Sequence, residues 1–229
     1  MKTQRLKDEL ASFVVHDLKN PLSAIMTTCE LLSTGGLDQQ VEEDVRTVRD
    51  AASRIHRMVL DLLDLQVAED GALQLEISSI PVTRLLADVA RASMPRLAAR
   101  RQQIQVGDGG SWTVKADEPL LFRVLMNLVD NCAKYGPEDG TVWIDADAGR
   151  EGSTVITVRD EGPGVRPDLR DRIFEKYAQV EREEGMRSSD SRGLGLRFCK
   201  VVVDAHGGRI WVEDAEPRGA LFCVELASA

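Results

Sequence analysis

The sequence predicts a multidomain protein of the α and α+β classes, with a helical hairpin over residues 1–69 and an α/β sandwich over residues 74–229. Two observations predict this division. Apolar residues in the first third recur at alternating steps of three and four, which is typical of amphipathic helices. After a break at residues 68–72, strand-like and helix-like runs are intermixed, which favours one sheet covered by one helical layer.

The first predicted helix runs to about residue 33, and its apolar stripe leaves His16 on the opposite, solvated face. The Asp17 carboxylate can accept the Nδ1 proton of an imidazole and so keep Nε2 free for attack. Asn20 lies one turn further along the face that carries His16. Pro21 cannot donate to the carbonyl of Asp17, so a bend is expected beside this turn. Taken alone, a histidine on a polar helix face such as His16 is more often an ordinary exposed residue than a reactive one.

The second predicted helix follows a turn at Gly35-Gly36 and runs to about residue 68. Its stripe alternates fours and threes through more than three heptads, at Val41, Val45, Val48, Ala52, Ile55, Val59, Leu62 and Gln66. A hairpin with a stripe on each arm cannot cover its own apolar surface. We therefore expect two copies to pair into a four-helix bundle, which makes the protein a homodimer. The alternative is a hairpin packed against its own second domain.

In the second domain, short segments with the apolar spacing of a helix alternate with short segments that have the spacing of a strand. The patterns predict helices over about 82–101, 118–135 and 193–206, and strands over about 103–106, 111–115, 141–148, 153–160, 209–213 and 221–226.

One side of the helix over 118–135 carries four polar side chains, Asn127, Asn131, Lys134 and Tyr135. Asparagine on an otherwise apolar face is unfavourable if it is buried without partners. A ligand would supply them, because Asn131 offers an amide oxygen to Mg²⁺ and Lys134 offers a positive charge to phosphate. The alternative is that the asparagines cap or hydrogen-bond within the fold.

Two glycine-containing segments follow. Asp160-Glu161-Gly162-Pro163-Gly164-Val165 comes directly off a predicted strand, where a carboxylate can accept a hydrogen bond from an exocyclic amine and glycines let the backbone approach a flat base. Ser191-Arg192-Gly193-Leu194-Gly195-Leu196 opens a predicted helix, where free backbone N–H groups favour a polyphosphate. The spacing fits neither the dinucleotide fingerprint nor a Walker A loop.

Taken in order, these segments resemble the motifs of sensor histidine kinases over about residues 12–226. They are similar to the H-box at 13–22, the N-box at 127–135, the two glycine boxes at 160–165 and 191–196, and the F-box at 172–177. The last four belong to the Bergerat-type ATP fold, which histidine kinases share with gyrase-type ATPases, Hsp90 and MutL. The resemblance therefore implies that fold for the second domain, with ATP and Mg²⁺ as its ligands.

For the N-box, the resemblance implies that Asn131 ligates Mg²⁺ and that Asn127 supports the metal and phosphate end. Lys134 would contact phosphate, and Tyr135 would lie against the nucleoside. These roles are expected from the matching motif positions.

For the glycine boxes, the resemblance implies that Asp160 selects adenine while Gly162 and Gly164 shape its pocket. Residues 175–192 would form a mobile lid over ATP, and Ser191 stands where the family often has another glycine. Gly193, Gly195 and Leu196 would begin the helix at the phosphates.

The resemblance implies that His16 becomes phosphorylated from ATP and passes the phosphoryl group to an aspartate of a response-regulator receiver domain. Asp17 would take up or share the Nδ1 proton of His16. Asn20 would orient a water that hydrolyses the phosphorylated regulator. Two rivals are a dimeric scaffold with a silent ATP fold and an ATP-driven conformational machine of the gyrase or Hsp90 kind.

Composition limits the other classes of function. A net charge of −9 argues against nucleic-acid binding, and no apolar run approaches the length of a membrane span. We expect a cytoplasmic chain whose full-length parent could be membrane-anchored, with sensor input from an upstream segment or a separate protein. The cysteines show no C-x-x-C spacing and are expected to be reduced and buried: Cys29, Cys132, Cys199 and Cys223.

Overall fold

The computed structural model describes two compact units, Met1–Ala72 and Leu73–Ala229. The described residues are 22, 25–29, 32, 38, 41–42, 44–49, 52, 55, 74–107, 110–150, 152–175 and 194–229. Four predicted site residues lie outside them: His16, Asp17, Asn20 and Gly193.

The described residues of the first unit are helical apart from Asp38, and their apolar side chains fall into two rows. One row is buried, with Leu22, Cys29, Val45 and Ala52. The other row is between 41% and 50% exposed, with Ile25, Leu32, Val41, Val48 and Ile55. Members of each row recur at heptad spacing along an arm, as the two core positions of a coiled coil do. Among these described residues, the second row is therefore left exposed in one copy of the chain.

The second unit contains seven strands and three helices among its described residues. In chain order they are β1 (Ser78–Pro81), α1 (Val82–Ala98), β2 (Gln103–Val106), β3 (Thr113–Ala116), α2 (Glu118–Tyr135), β4 (Thr141–Ala148), β5 (Ser153–Arg159), α3 (Leu194–Ala205), β6 (Arg209–Asp214) and β7 (Ala220–Ala227). Two short 3₁₀ turns, Pro167–Leu169 and Arg172–Phe174, lie between β5 and α3.

The strands form two sheets. β1 and β3 pair as an antiparallel ribbon, and the larger sheet has the order β2-β4-β5-β7-β6. Only β2 and β4 are parallel in it. Alternate residues of β4, β5, β6 and β7 turn inward beneath the helices, which gives one sheet and one helical layer around a continuous apolar core. The predicted α/β sandwich is therefore confirmed.

The helix and strand bounds follow the sequence patterns with two differences. The helix α1 ends at Ala98, earlier than the expected residue 101, because residues 99–101 form a turn in which Arg101 has a left-handed φ of +54°. The strand β1 is not predicted, because it is only four residues long and shows no alternation; its pairing with β3 through Ile80 and Val114 is a tertiary contact. Among the described helices, none is both long and apolar enough to cross a bilayer.

Candidate functional site

The helix α2 begins at a strong cap. Asp117 precedes it, and the Oδ1 atom of Asp117 accepts the Leu120 N–H at 3.1 Å. At the other end the Gly136 N–H donates to the Cys132 carbonyl at 2.7 Å. One face of α2 is buried in the core through Leu121, Val124, Leu125, Leu128, Val129, Cys132 and Ala133. This face holds α2 in the core of the second unit.

The predicted N-box side chains lie outside that buried face of α2. Asn127, Asn131 and Lys134 are half-buried, and Tyr135 is 37% exposed. The Lys134 ammonium lies 5.2 Å from the centre of the Tyr135 ring, within the range of a cation–π contact. The helix thus presents amide groups, a positive charge and an aromatic ring along one face.

Asp160 directly follows β5 and is only 3% exposed. Its Oδ1 atom accepts the Gly162 N–H at 2.7 Å and the Ala220 N–H at 3.1 Å. The second bond follows from the β5–β7 register, because Arg159 pairs with Leu221 and so brings Ala220 beside Asp160. One carboxylate oxygen is therefore fixed by the backbone in a site that excludes water.

Glycines at this end of the site are required by close backbone approaches. A Cβ on Gly162 would lie 2.8 Å from the Tyr135 carbonyl oxygen, and a Cβ on Gly219 would lie 1.9 Å from the Asp160 carbonyl oxygen. Gly219 also has a φ of +118°, which L side chains rarely adopt. Gly164, with a φ of +73°, faces the Gly219 carbonyl. The loop after β5 is therefore packed directly against the end of α2 and the start of β7.

The start of α3 lies beside the other end of the asparagine face. A Cβ on Gly195 would lie 3.3 Å from the Asn127 Oδ1 atom, so Gly195 lets α3 approach that amide closely. Leu196 is half-buried and packs against the core. Before the undescribed residues 176–193, the F-box is anchored because Ile173 and Phe174 are each 6% exposed.

One residue in contact with the site was not predicted. Cys132 is fully buried, and its pKa is raised well above the ordinary value by burial, by the charge of Asp160 and by a hydrogen bond to Asp160. From sequence we expect only a buried reduced thiol at this position, because its distance from Asp160 depends on how α2 packs on β5.

The arrangement fits a purine nucleotide with a bound divalent cation. The glycines let the loop after β5 pack closely on α2 and β7 around Asp160, and the Asp160 carboxylate is an acceptor suited to an exocyclic amine. Within the described residues, no group of three or more His, Cys, Asp or Glu side chains could hold a metal. Mg²⁺ would therefore take few protein ligands, such as the Asn131 amide oxygen, together with phosphate oxygens and water.

Two family models match the chain. The model described as histidine kinase-, DNA gyrase B- and HSP90-like ATPase matches residues 116–229. The model described as the His Kinase A (phospho-acceptor) domain matches residues 6–71. The second match lies within the first compact unit, and the first match lies within the second unit.

Individual relatives agree with these matches. The chain is 31% identical to the adaptive-response sensory kinase SasA of Trichormus variabilis, over 95% of this chain and 56% of that protein. It is 29% identical to the signal transduction histidine-protein kinase BaeS of Escherichia coli, over 98% of this chain and 48% of that protein. The crystal structure of full-length ShkA in complex with AMPPNP is similar with a TM-score of 0.75 and 29% identity, over 96% of this chain and 46% of that one. The chain spans about half the length of the curated relatives it matches.

Proposed function

The chain belongs to the sensor histidine kinases, and we propose on that premise that it uses ATP to phosphorylate His16 and then passes the phosphoryl group to an aspartate of a response-regulator receiver domain. The observation that supports the proposal best is the buried Asp160 carboxylate, which lies in a glycine-lined loop beside the asparagine face of α2. A buried carboxylate of this kind would accept a hydrogen bond from the exocyclic amine of adenine, because a carboxylate oxygen can only accept and is unfavourable when it is buried without a donor.

The adenine end of the site is formed by Asp160, Gly162 and Gly164. Backbone N–H groups hold the Asp160 Oδ1 atom, which leaves Oδ2 to face another donor. Gly162 and Gly164 allow the loop that carries Asp160 to pack directly against the end of α2 and the start of β7. Tyr135, at the last turn of α2, would cover the nucleoside from the side.

The phosphate end is formed by Asn127, Asn131, Lys134 and the start of α3. Asn131 would ligate Mg²⁺, and Asn127 would support the metal and phosphates from one turn away. Lys134 would contact a phosphate oxygen as a point charge. Gly193, Gly195 and Leu196 would begin α3 at the phosphates, where the free N–H groups of a helix start favour anions. Bound Mg²⁺ would supply neutralisation of the phosphate charges.

In the proposed reaction the lone pair on His16 Nε2 attacks the γ-phosphorus of ATP in line. A P–N bond forms, the bond from the γ-phosphorus to the bridging oxygen breaks, and ADP leaves with that electron pair. Asp17 accepts the Nδ1 proton of the imidazole, so that His16 does not carry an additional positive charge in the product. The support for these two roles is the H-box sequence.

The proposed partners are a second copy of the chain and a receiver domain. The exposed apolar row of the first unit supports a homodimer, because a second hairpin would cover it and complete a four-helix bundle. Asn20 would orient water for hydrolysis of the phosphorylated regulator, which would make the protein a phosphatase as well. We place the reaction in the cytoplasm, with sensor input from an upstream segment or a separate protein.

Labelling with radioactive ATP tests the proposal. The wild-type chain should acquire an acid-labile, base-stable label, and His16→Gln should lose it while its affinity for ADP stays within about twofold, because His16 is not part of the nucleotide site. His56→Gln is the matched control, since it removes the other histidine of residues 1–69 and should keep the label. Asp160→Asn should lose both label and ADP binding.

Two results would contradict the proposal. Persistent labelling of the His16→Gln variant would exclude His16 as the acceptor. Failure of the wild-type chain to bind ADP in a calorimetric titration with Mg²⁺ would show that the nucleotide site itself is wrongly assigned.

A further inference from the structure

The Asp160 carboxylate is held by two segments that are far apart in the chain. Its Oδ1 atom accepts the Gly162 N–H at 2.7 Å from the loop after β5, and it accepts the Ala220 N–H at 3.1 Å from the start of β7. The direction in which the carboxylate faces therefore depends on how these two segments lie relative to each other. A contact that fixes their relative position would also fix the acceptor at the adenine end of the site.

Arg170 connects the same two segments. Its Nε atom donates to the Val165 carbonyl at 3.3 Å, within the loop after β5. An Nη atom of the same guanidinium lies 2.6 Å from the Oδ1 atom of Asp214, the last residue of β6. Asp214 is the register partner of Ala220 in the β6–β7 pair. One side chain therefore joins the loop to the strand pair that supplies the second N–H donor.

The loop and the β6–β7 turn are in close contact where Arg170 joins them. A Cβ on Gly164 would lie 2.9 Å from the Gly219 carbonyl oxygen and 3.9 Å from the Asp214 Oδ1 atom. The Arg170 side chain is 26% exposed, whereas that of Asp214 is 73% exposed. Because an ion pair with so exposed a partner contributes little to global stability, we expect its main effect in the local geometry of the loop.

We propose that Arg170 is a positioning residue for base recognition: its guanidinium holds the loop after β5 against the end of β6, and so keeps the Asp160 carboxylate turned toward the exocyclic amine of adenine. The inference rests on the proposed function, in which Asp160 is the acceptor for that amine. Arginine suits the role because its planar guanidinium presents several N–H groups in a fixed geometry, so one side chain can donate to a carbonyl and pair with a carboxylate at once. Arg170 increases selectivity for adenine through Asp160.

The test compares two ligands on the full chain. ADP carries the exocyclic amine, and purine riboside 5′-diphosphate lacks it. In calorimetric titrations with Mg²⁺, Arg170→Ala should weaken ADP binding by about fivefold, which corresponds to one ordinary hydrogen bond, and should change the affinity for purine riboside diphosphate by less than about twofold. A selective loss of this kind couples Arg170 to the amine, whereas a general structural defect would weaken both ligands alike.

Three further variants complete the test. Asp214→Ala removes the other end of the bridge and should reproduce the selective loss, which keeps the test decisive if Arg170→Ala does not fold. The double variant with both changes should be no more impaired than Arg170→Ala, because the two changes remove the same bridge. Arg166→Ala is the matched control, since Arg166 lies in the same loop but pairs at 2.8 Å with Asp168, two residues along that loop. Arg166→Ala should leave both affinities unchanged.

The outcomes separate this inference from the proposed function. If the wild-type chain binds ADP and the Arg170→Ala and Asp214→Ala variants weaken both ligands equally, or weaken neither, the positioning role is wrong and the nucleotide site stands. A selective loss in Arg166→Ala as large as that in Arg170→Ala would also overturn the role, because the contact with β6 would then be irrelevant. If the wild-type chain binds neither ligand, the proposed nucleotide site is wrong and the inference fails with it.

Discussion

The Nε2 atom of His206 accepts a hydrogen bond from the backbone N–H of Asp117 at 2.9 Å, which joins the end of α3 to the start of α2. The Nδ1 atom lies 2.7 Å from the Val202 carbonyl oxygen, and since a carbonyl can only accept, Nδ1 carries the proton. Asp117 in turn caps α2 and accepts the Glu76 N–H at 3.0 Å. The ring thus secures the start of the helix that carries the N-box asparagines, and its role is structural.

Replacing His206 tests this connection. His206→Leu should lower the free energy of unfolding by about 1–2 kcal/mol, because it leaves the buried Asp117 N–H without an acceptor. His206→Gln retains a hydrogen-bond acceptor, so its free energy of unfolding should fall by less than that of His206→Leu. Urea denaturation followed by circular dichroism measures both. Equal stabilities of the leucine and glutamine variants would show that the hydrogen bond contributes nothing.

Gly219→Ala should damage the adenine end of the site. A Cβ there would lie 1.9 Å from the Asp160 carbonyl oxygen, so the β7 start must move and ADP affinity should fall by at least about tenfold. Gly152→Ala is the matched control, because Gly152 also has a positive φ, of +76°, but a Cβ on it would have no neighbour within 4 Å. Gly152→Ala should lower the free energy of unfolding by about 1–2 kcal/mol and leave the affinity for ADP unchanged. Calorimetry distinguishes them, and equal effects on binding would refute the steric explanation.

Val48→Asp should dissociate the proposed homodimer. Val48 is 50% exposed within the uncovered row, and a charge there would be buried in the interface, which should raise the dimer dissociation constant by roughly 100-fold or more. Thr47→Asp places the same charge on the adjoining exposed position outside the row and should leave the dimer intact. Sedimentation equilibrium measures the change. A wild-type chain that is monomeric at micromolar concentration would contradict the bundle.

Asn20→Ala should impair dephosphorylation of the regulator more than labelling of the kinase, because a water-orienting amide is needed only for hydrolysis. The two rates are measured with a phosphorylated receiver domain and with radioactive ATP, and we expect a loss of about tenfold or more in the first with less than about threefold in the second. Equal losses in both would argue against this role.

Ser153→Ala should raise the pKa of a surface carboxylate, that of Glu225. The pKa of Glu225 is lowered by hydrogen bonds from the Ser153 hydroxyl and from the Arg150 N–H. A lowered folded-state pKa stabilises the fold above the unfolded-state pKa, and this stabilisation disappears as the pH falls through the folded value. Ser153→Ala should therefore raise the pKa of Glu225 and reduce stability more at pH 7 than at pH 3, whereas Ser153→Thr keeps the hydroxyl. A carbon-13 titration of the Glu225 carboxyl that shows no shift would count against this.

The sequence alone determined the class of protein and most element bounds, because these depend on local information. Periodicity marks helices and strands over a few residues, and the N-box and glycine motifs are each contiguous. The short strand β1 could not be predicted from local sequence, because what defines it as a strand is its pairing with β3.

The tertiary structure decided which groups surround Asp160. Cys132 comes from α2, Gly162 from the following loop, and Ala220 from a strand 60 residues away, and they meet because the β5–β7 register and the packing of α2 bring them together. The division of the heptad stripe into a buried row and an exposed row was decided in the same way. No local pattern records such contacts, because each depends on the distance between segments that are far apart in the chain.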